Sequence, residues 1–157
     1  MHSQNFTPQQ ALPKIKQYCA YQERCHSEIK EKLYGYGLSL NDAEEIISKL
    51  VEENFLNEER FAIHFAGGKF RIKQWGRIKI KYELKKKNVS DYCIKKALAA
   101  INMSDYFATV SKLAEIKFRS LKSEKNIFVK KTKLHSHLRL KGFESNLIQE
   151  VMNDLIK

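Results

Sequence analysis

The chain has 157 residues, 43% of them hydrophobic, with 9 Phe, 7 Tyr, 1 Trp and a formal net charge of +11 at pH 7. That composition carries enough apolar mass for a folded core and excludes a disordered, low-complexity protein. No apolar run reaches the roughly 20 residues of a membrane span, and the opening MHSQNFTPQQ has no signal-peptide pattern, so a cytoplasmic protein without a membrane partner is expected.

With only 2 Pro and 6 Gly, long segments run uninterrupted, which points to an all-α protein. In chain order, residues 1–10 are expected as a flexible N-terminus and 11–25 as a first helix. Ile29 and Leu33 then lie one helical turn apart, and Gly37 stops their helix. Leu38 precedes a Ser39/Asp42 cap, and Ala43, Ile46, Ile47 and Leu50 form a single apolar stripe. A helix over 57–72 with Phe61, Ala62 and Phe65 on its apolar face opens a second copy. Ile80, Leu84, Asn88, Val89, Ser90 and the stripe Ile94, Ala97, Leu98, Ile101 follow without a gap against the first. A helix over 104–123 with Phe107, Val110, Leu113 and Ala114 opens the third. Leu134, Leu138, Gly142, Phe143, Glu144 and the stripe Ile148, Val151, Met152, Leu155 complete it. Glu144 is a weaker cap than serine, so the third copy is expected to be looser there.

The expected organisation is therefore three tandem three-helix repeats, 11–55, 56–102 and 103–157, forming an elongated, curved, monomeric array. Cys19, Cys25 and Cys93 are odd in number and lack C-x-x-C spacing, which points to inert thiols. His135 and His137 are two apart and chelate poorly on a helix. No metal and no cofactor is expected.

Charge is unevenly spread. Residues 1–68 have net charge −3, 69–96 have +9 and 112–141 have +8. In 69–96 only Glu83 and Asp91 oppose eleven basic residues, so a polyanion or an acidic protein is the expected partner. The candidate binding residues are Lys69, Arg71, Lys73, Trp75, Arg77, Lys79, Lys81, Lys85 and Lys86. They would meet single- or double-stranded DNA through phosphates, because no groove-reading motif is present. Trp75, Phe70 and Tyr82 either stack on bases or pack in the core, with core packing the preferred reading. An enzyme is not expected. The basic regions lack the clustered carboxylates a Mg²⁺ nuclease needs, and the chain has no phosphate-binding Gly-x-x-x-x-Gly-Lys-Ser/Thr loop.

FLNEERFAIHFAGGKFRIKQWGRIKIKYELKKKNVSDYCIKKAL (55–98) resembles the central signature of the RecX family, regulators of the bacterial RecA recombinase. The matching positions are Leu56-Asn57, Arg60-Phe61-Ala62, the basic run Lys69 to Lys73, Trp75-Gly76, Ile80-x-x-Glu83-Leu84, Lys85 to Asn88 and Ile94-x-x-Ala97-Leu98. CHSEIKEKLYGYG and KLHSHLRLKGF extend the likeness to the first and third repeats. Two positions depart from it: Asn88 replaces the usual glycine, and Gly67-Gly68 interrupts a helix that is usually continuous, predicting a kink or early stop. The resemblance implies a modulator that binds RecA filaments on DNA and suppresses ATP hydrolysis, strand exchange and coprotease activity, affecting homologous recombination, DNA repair and the SOS response. The other reading is a stand-alone, sequence-nonspecific nucleic-acid-binding helical protein.

Overall fold

The computed structural model describes residues 5–156, which form nine α-helices and one π-helical turn and contain no strand. The elements are α1 (Pro8–Tyr21), α2 (His26–Gly35), α3 (Leu40–Glu52), α4 (Glu58–Gly68), the π turn (Lys69–Lys73), α5 (Arg77–Lys86), α6 (Asp91–Ala99), α7 (Met103–Ser120), α8 (Ile127–Lys141) and α9 (Ser145–Leu155). The chain divides into two compact units, Met1–Phe65 with Leu84–Ala97, and Ala66–Glu83 with Leu98–Lys157. It passes between them inside α4, inside α5 and inside the last turn of α6. No helix among the described residues is long and apolar enough to cross a membrane.

The helix ends follow from local hydrogen bonding. Helix α1 begins at Pro8, three residues before the expected boundary at 11. The Thr7 hydroxyl accepts from the Gln10 N–H at 3.2 Å, and the Gln10 side chain accepts from the Thr7 N–H at 3.0 Å, a reciprocal cap with proline at the first helical position. Of the segment expected to be flexible, residues 1–4 lie outside the described residues. Phe6 is held, its N–H donating to the Tyr36 carbonyl at 2.9 Å and its ring meeting Tyr36 edge-on at 5.3 Å.

The three expected helix stops share one geometry. Gly37, Asn88 and Gly142 have φ of 85°, 62° and 98°, in the left-handed region. In each copy the next residue's N–H reaches back five positions: Leu38 to Leu33 at 3.3 Å, Val89 to Leu84 at 3.2 Å and Phe143 to Leu138 at 3.2 Å. These are Schellman closures, and they satisfy carbonyls that a helix end otherwise leaves open. Ser39 and Ser90 then cap the next helix through Asp42 and Cys93 N–H, both at 3.2 Å, while Glu144 makes no side-chain cap bond.

In the first unit, Ile15, Ile29, Leu33, Ala43, Leu50 and Leu56 are essentially solvent-free. Burying each large aliphatic side chain contributes roughly 1.5–3 kcal/mol, so the repeated stripe outweighs any single surface ion pair, which is worth about 0–1 kcal/mol. Asn57 caps α4 by accepting from the Arg60 N–H at 2.9 Å. Glu58 accepts from the His26 N–H at 3.3 Å, and the Arg60 guanidinium binds Glu23 and Asn54. The LNEERFA segment thus has a structural task within this unit.

In the second unit α7, α8 and α9 pack on one another. A chain of rings runs from Phe70 to Tyr106 at 5.6 Å and on to Phe143 at 5.3 Å. The periodicity assigns Phe107 to the core face, yet Phe107 is half-buried and Tyr106 is fully buried. A buried hydroxyl requires partners, and Tyr106 has two: it accepts from the Arg77 N–H at 2.9 Å and donates to a Glu144 carboxylate oxygen.

Candidate nucleic-acid interface

The basic block from 69 onward occupies three local structures. The first is the π turn. Gly67-Gly68 does mark a change in the helix: α4 ends at Gly68 and the wider turn takes over for five residues. Arg71 stands one helical turn from Gly67 and lays its guanidinium over it, where a Cβ would sit 2.7 Å from the Arg71 nitrogen. Gln74 closes the turn in the left-handed region at φ 57°, and the Trp75 N–H reaches back to the Lys69 carbonyl at 3.3 Å.

The second structure is the short Gln74–Gly76 connection. Trp75 is half-buried, with the Lys69 ammonium 5.1 Å and the Lys79 ammonium 4.7 Å from its ring centroid. Such contacts lie within cation–π range and hold two cations beside one aromatic surface. The third structure is α5, whose Ile80 and Leu84 are fully buried. The 100° step then leaves Lys81, Lys85 and Lys86 exposed, while Lys79 and Arg77 are half-buried. Lys85 and Lys86 occupy the last turn of α5, where cations also complement the helix dipole. They belong to the first unit, and Lys69 through Lys81 to the second.

Arg77 differs from the others. Its guanidinium lies 4.3 Å from the Tyr106 ring centroid, and its Nε is 3.7 Å from a Glu144 oxygen, although that buried Nε makes no hydrogen bond. Burial, reinforced by the bond to Glu144 and opposed by the Arg77 N–H, raises the Tyr106 hydroxyl pKa far above its ordinary value. This cluster occupies Arg77 inside the fold. Among the aromatics, Phe70 is in the core and Tyr82 is 62% exposed, against its expected core role. Lys87 is half-buried, its ammonium 3.8 Å from Glu28 and 5.9 Å from the Phe65 ring centroid, as its position beside the core stripe predicts.

Sequence reasoning missed two contributors from the third copy. Lys141 donates to the Lys73 carbonyl at 3.3 Å. Lys112 lines a cavity of about 360 Å³ with Phe70, Arg71 and Gln74, and Asp105 supplies the opposite charge there. Lys141 stands three residues after Leu138, as Lys87 does after Leu84, so the repeat register was the available signal. No group of three or more His, Cys, Asp or Glu side chains among the described residues is placed to hold a metal, and the three thiols are buried and unpaired.

The model of RecX, second three-helix domain, matches residues 57–98, a span that contains every basic residue just described from 69 to 87. The regulatory protein RecX of Prosthecochloris aestuarii is 31% identical over 146 residues, covering 93% of this chain and 93% of that protein. The chain belongs to the RecX family of regulatory proteins. The family member from Chlorobium phaeobacteroides is 32% identical over 139 residues, covering 86% of this chain and 87% of that protein. The one from Clostridium perfringens is longer: the 32% identity over 133 residues covers 84% of this chain and 62% of it. The crystal structure of RecX from Lactobacillus salivarius matches with a TM-score of 0.85 at 24% identity, over 94% of this chain and 96% of that one. At that identity the likeness speaks to the fold, and the RecX arrangement of three-helix repeats accounts for nearly the whole chain.

Proposed function

We propose that this chain regulates the RecA recombinase by binding its filament on DNA, lowering ATP hydrolysis, strand exchange and coprotease activity and so damping recombination, repair and the SOS response. It acts as a cytoplasmic monomer without a cofactor. The three repeats 11–55, 56–102 and 103–157 divide the work, the second carrying most of the DNA contact. Lys69, Arg71, Lys73, Lys79, Lys81, Lys85 and Lys86 neutralise phosphates, with Trp75 beside Lys69 and Lys79; Arg77 serves by holding the start of α5. Family membership is the observation that carries the regulatory reading, and the cations of the π turn and α5 support the DNA contact. Contact through phosphates is insensitive to base sequence and falls with salt.

The test is the ATPase rate of the cognate recombinase on single-stranded DNA, with and without this protein. The expected result is inhibition that a Lys73, Lys81, Lys85→Ala variant weakens. An unchanged ATPase rate at saturating protein would refute the regulatory reading.

A further inference from the structure

Apart from Lys112 and Lys141, the second basic block, 112–141, has no task in the function above. Six of its cations fall between residues 119 and 133 (Arg119, Lys122, Lys125, Lys130, Lys131 and Lys133), and Glu124 is the one carboxylate in that span. This span is the tip of the α7–α8 hairpin. Glu124 is already engaged, accepting from the Asn126 N–H at 3.1 Å and lying 3.8 Å from the Lys133 ammonium. Lys130 is held over the Phe118 ring, 5.2 Å from its centroid. Lys122, Lys125 and Lys131 are exposed. Beside them Phe128 is 74% exposed and Ile127 49% exposed, at the start of a helix that buries Leu134 and Leu138 fully and leaves Leu140 exposed. The Asn126 side chain accepts from the Phe128 and Val129 N–H groups, so the amides of the helix start are satisfied and the side chains remain the feature to explain.

An exposed ring beside uncompensated cations matches one partner chemistry well. A single strand offers phosphates to the lysines and an unstacked base face to the phenyl ring, whereas a duplex hides its base faces. Phe128 and Lys141 are thirteen residues apart on α8, about 20 Å along its axis, or about six phosphates at 3.4 Å per strand. The tip therefore does not share phosphates with the Lys73–Lys141 region. We infer that the α7–α8 tip is a second, single-strand-selective nucleic-acid contact, in which Phe128 stacks on a base while Lys122, Lys125 and Lys131 neutralise phosphates. The inference rests on the nucleic-acid reading of the basic surface above and extends it to the third repeat.

The experiment uses the full chain and three variants: Phe128→Ala, Lys122, Lys125, Lys131→Ala, and the Lys73, Lys81, Lys85→Ala set. Fluorescence anisotropy is read with an oligothymidylate and with a duplex of equal length, across a salt series. Phe128→Ala is expected to weaken single-strand binding by roughly 5- to 150-fold while leaving duplex affinity unchanged. The tip lysine set is expected to reduce the single-strand log–log salt slope by about 2, independently of the Lys73, Lys81, Lys85 set. All substituted side chains are exposed, and unchanged thermal midpoints confirm intact folding. Wild-type single-strand binding in Phe128→Ala, or equal loss on both oligonucleotides, overturns the stacking contact. If the tip variants bind as wild type while the Lys73, Lys81, Lys85 set is impaired, the tip inference fails and the first site stands; if neither set changes binding, both fail. Co-sedimentation with anionic phospholipid vesicles that depends on Phe128, alongside unaltered oligonucleotide binding, also overturns it and reassigns the tip to a lipid surface.

Discussion

Gly76 and Gly142 meet backbone to backbone. The Gly76 N–H donates to the Lys141 carbonyl at 2.8 Å, and the Ile78 N–H donates to the Gly142 carbonyl at 2.9 Å, so the start of α5 is bonded to the Schellman closure of α8. A Cβ on Gly76 would overlap the Gly142 carbonyl group and the Phe143 nitrogen, and neither neighbour is a flexible side chain that can move aside. Gly76→Ala is therefore expected to lower stability by about 1–3 kcal/mol, the usual cost of forcing extra volume into a closed contact. Gly68→Ala provides the contrast: nothing lies within 4 Å of its added Cβ, and it ends a helix, so the change is expected to stabilise by about 0.5–1 kcal/mol. Urea unfolding of both variants checks the pair; equal effects would rule out the packing explanation.

Asn88 offers a second stability test. It holds the same left-handed closure as Gly37 and Gly142, at a cost of order 1–2 kcal/mol for a residue with a Cβ, partly relieved in asparagine. Asn88→Gly is expected to be neutral or slightly stabilising and Asn88→Ala destabilising. The difference in thermal midpoint between these two variants is the measurement, and a more stable alanine variant would contradict the assignment.

These closures were legible in the sequence because the helix breaker, the following apolar residue and the stripe recur at fixed spacing in all three copies. Local rules generate such features, and local rules can be read from one chain. The meeting of Gly76 with Gly142 joins residues far apart in sequence and left no periodic trace. Tyr106 was hidden for a related reason: its partners Arg77 and Glu144 are 29 and 38 positions away, so the neighbouring phenylalanine looked the better core residue. The same cluster separates Arg77 from the other cations of the candidate site, a distinction that composition alone cannot make. Charge density singles out the candidate cations; tertiary contacts decide which of them remain accessible.

Tyr106→Phe should remove both bonds of the buried hydroxyl and leave the Arg77 N–H and a Glu144 oxygen without that partner. Losing a buried partner typically costs about 1–3 kcal/mol. The pH dependence follows from the raised folded-state pKa. Tyr106 contributes fully below its unfolded value of 10.0, and the contribution is lost as pH rises through the higher folded value. Cys19, pushed up to about 11 from 9.0 chiefly by burial, acts in the same direction at a lower window, from about 9 to about 11. Wild-type stability should therefore fall with rising pH above about 9, and Cys19→Ala should flatten the first part of that fall. Parallel denaturation curves for wild type and Cys19→Ala across this range would contradict the thiol's role.

Inhibition of the recombinase should depend on more than affinity for DNA, since residues 1–68 are net acidic and compete poorly for phosphates. Glu31, Glu44 and Glu45 are exposed and suit charge reversal; Glu28 does not, because it accepts from the Cys25 N–H at 3.0 Å and pairs with Lys87. The Glu31, Glu44, Glu45→Lys variant is expected to bind DNA at least as well as wild type yet inhibit the recombinase ATPase less. Should inhibition follow DNA affinity alone across this variant and the lysine variants, competition for DNA replaces contact with the filament.

Trp75 is the chain's single tryptophan, so its emission reports on one place. That place is flanked by the Lys69 and Lys79 ammonium groups at 5.1 and 4.7 Å. Nucleic acid arriving at the proposed surface competes for those cations, because a phosphate offers a lysine a full opposite charge, whereas a cation–π contact at an exposed site is worth only about 0.5–1 kcal/mol. Withdrawal of the lysines changes the field at the indole, and a base that takes their place quenches it by stacking. Titration with oligothymidylate at low salt should therefore alter the tryptophan emission, with a midpoint equal to that from anisotropy of a labelled oligonucleotide. Added salt should reverse the change along the same log–log slope. Lys69, Lys79→Ala should shift the emission of the free protein toward that of the bound wild type and shrink the response to DNA. Binding seen by anisotropy without any change at Trp75 would place the contact elsewhere on the chain.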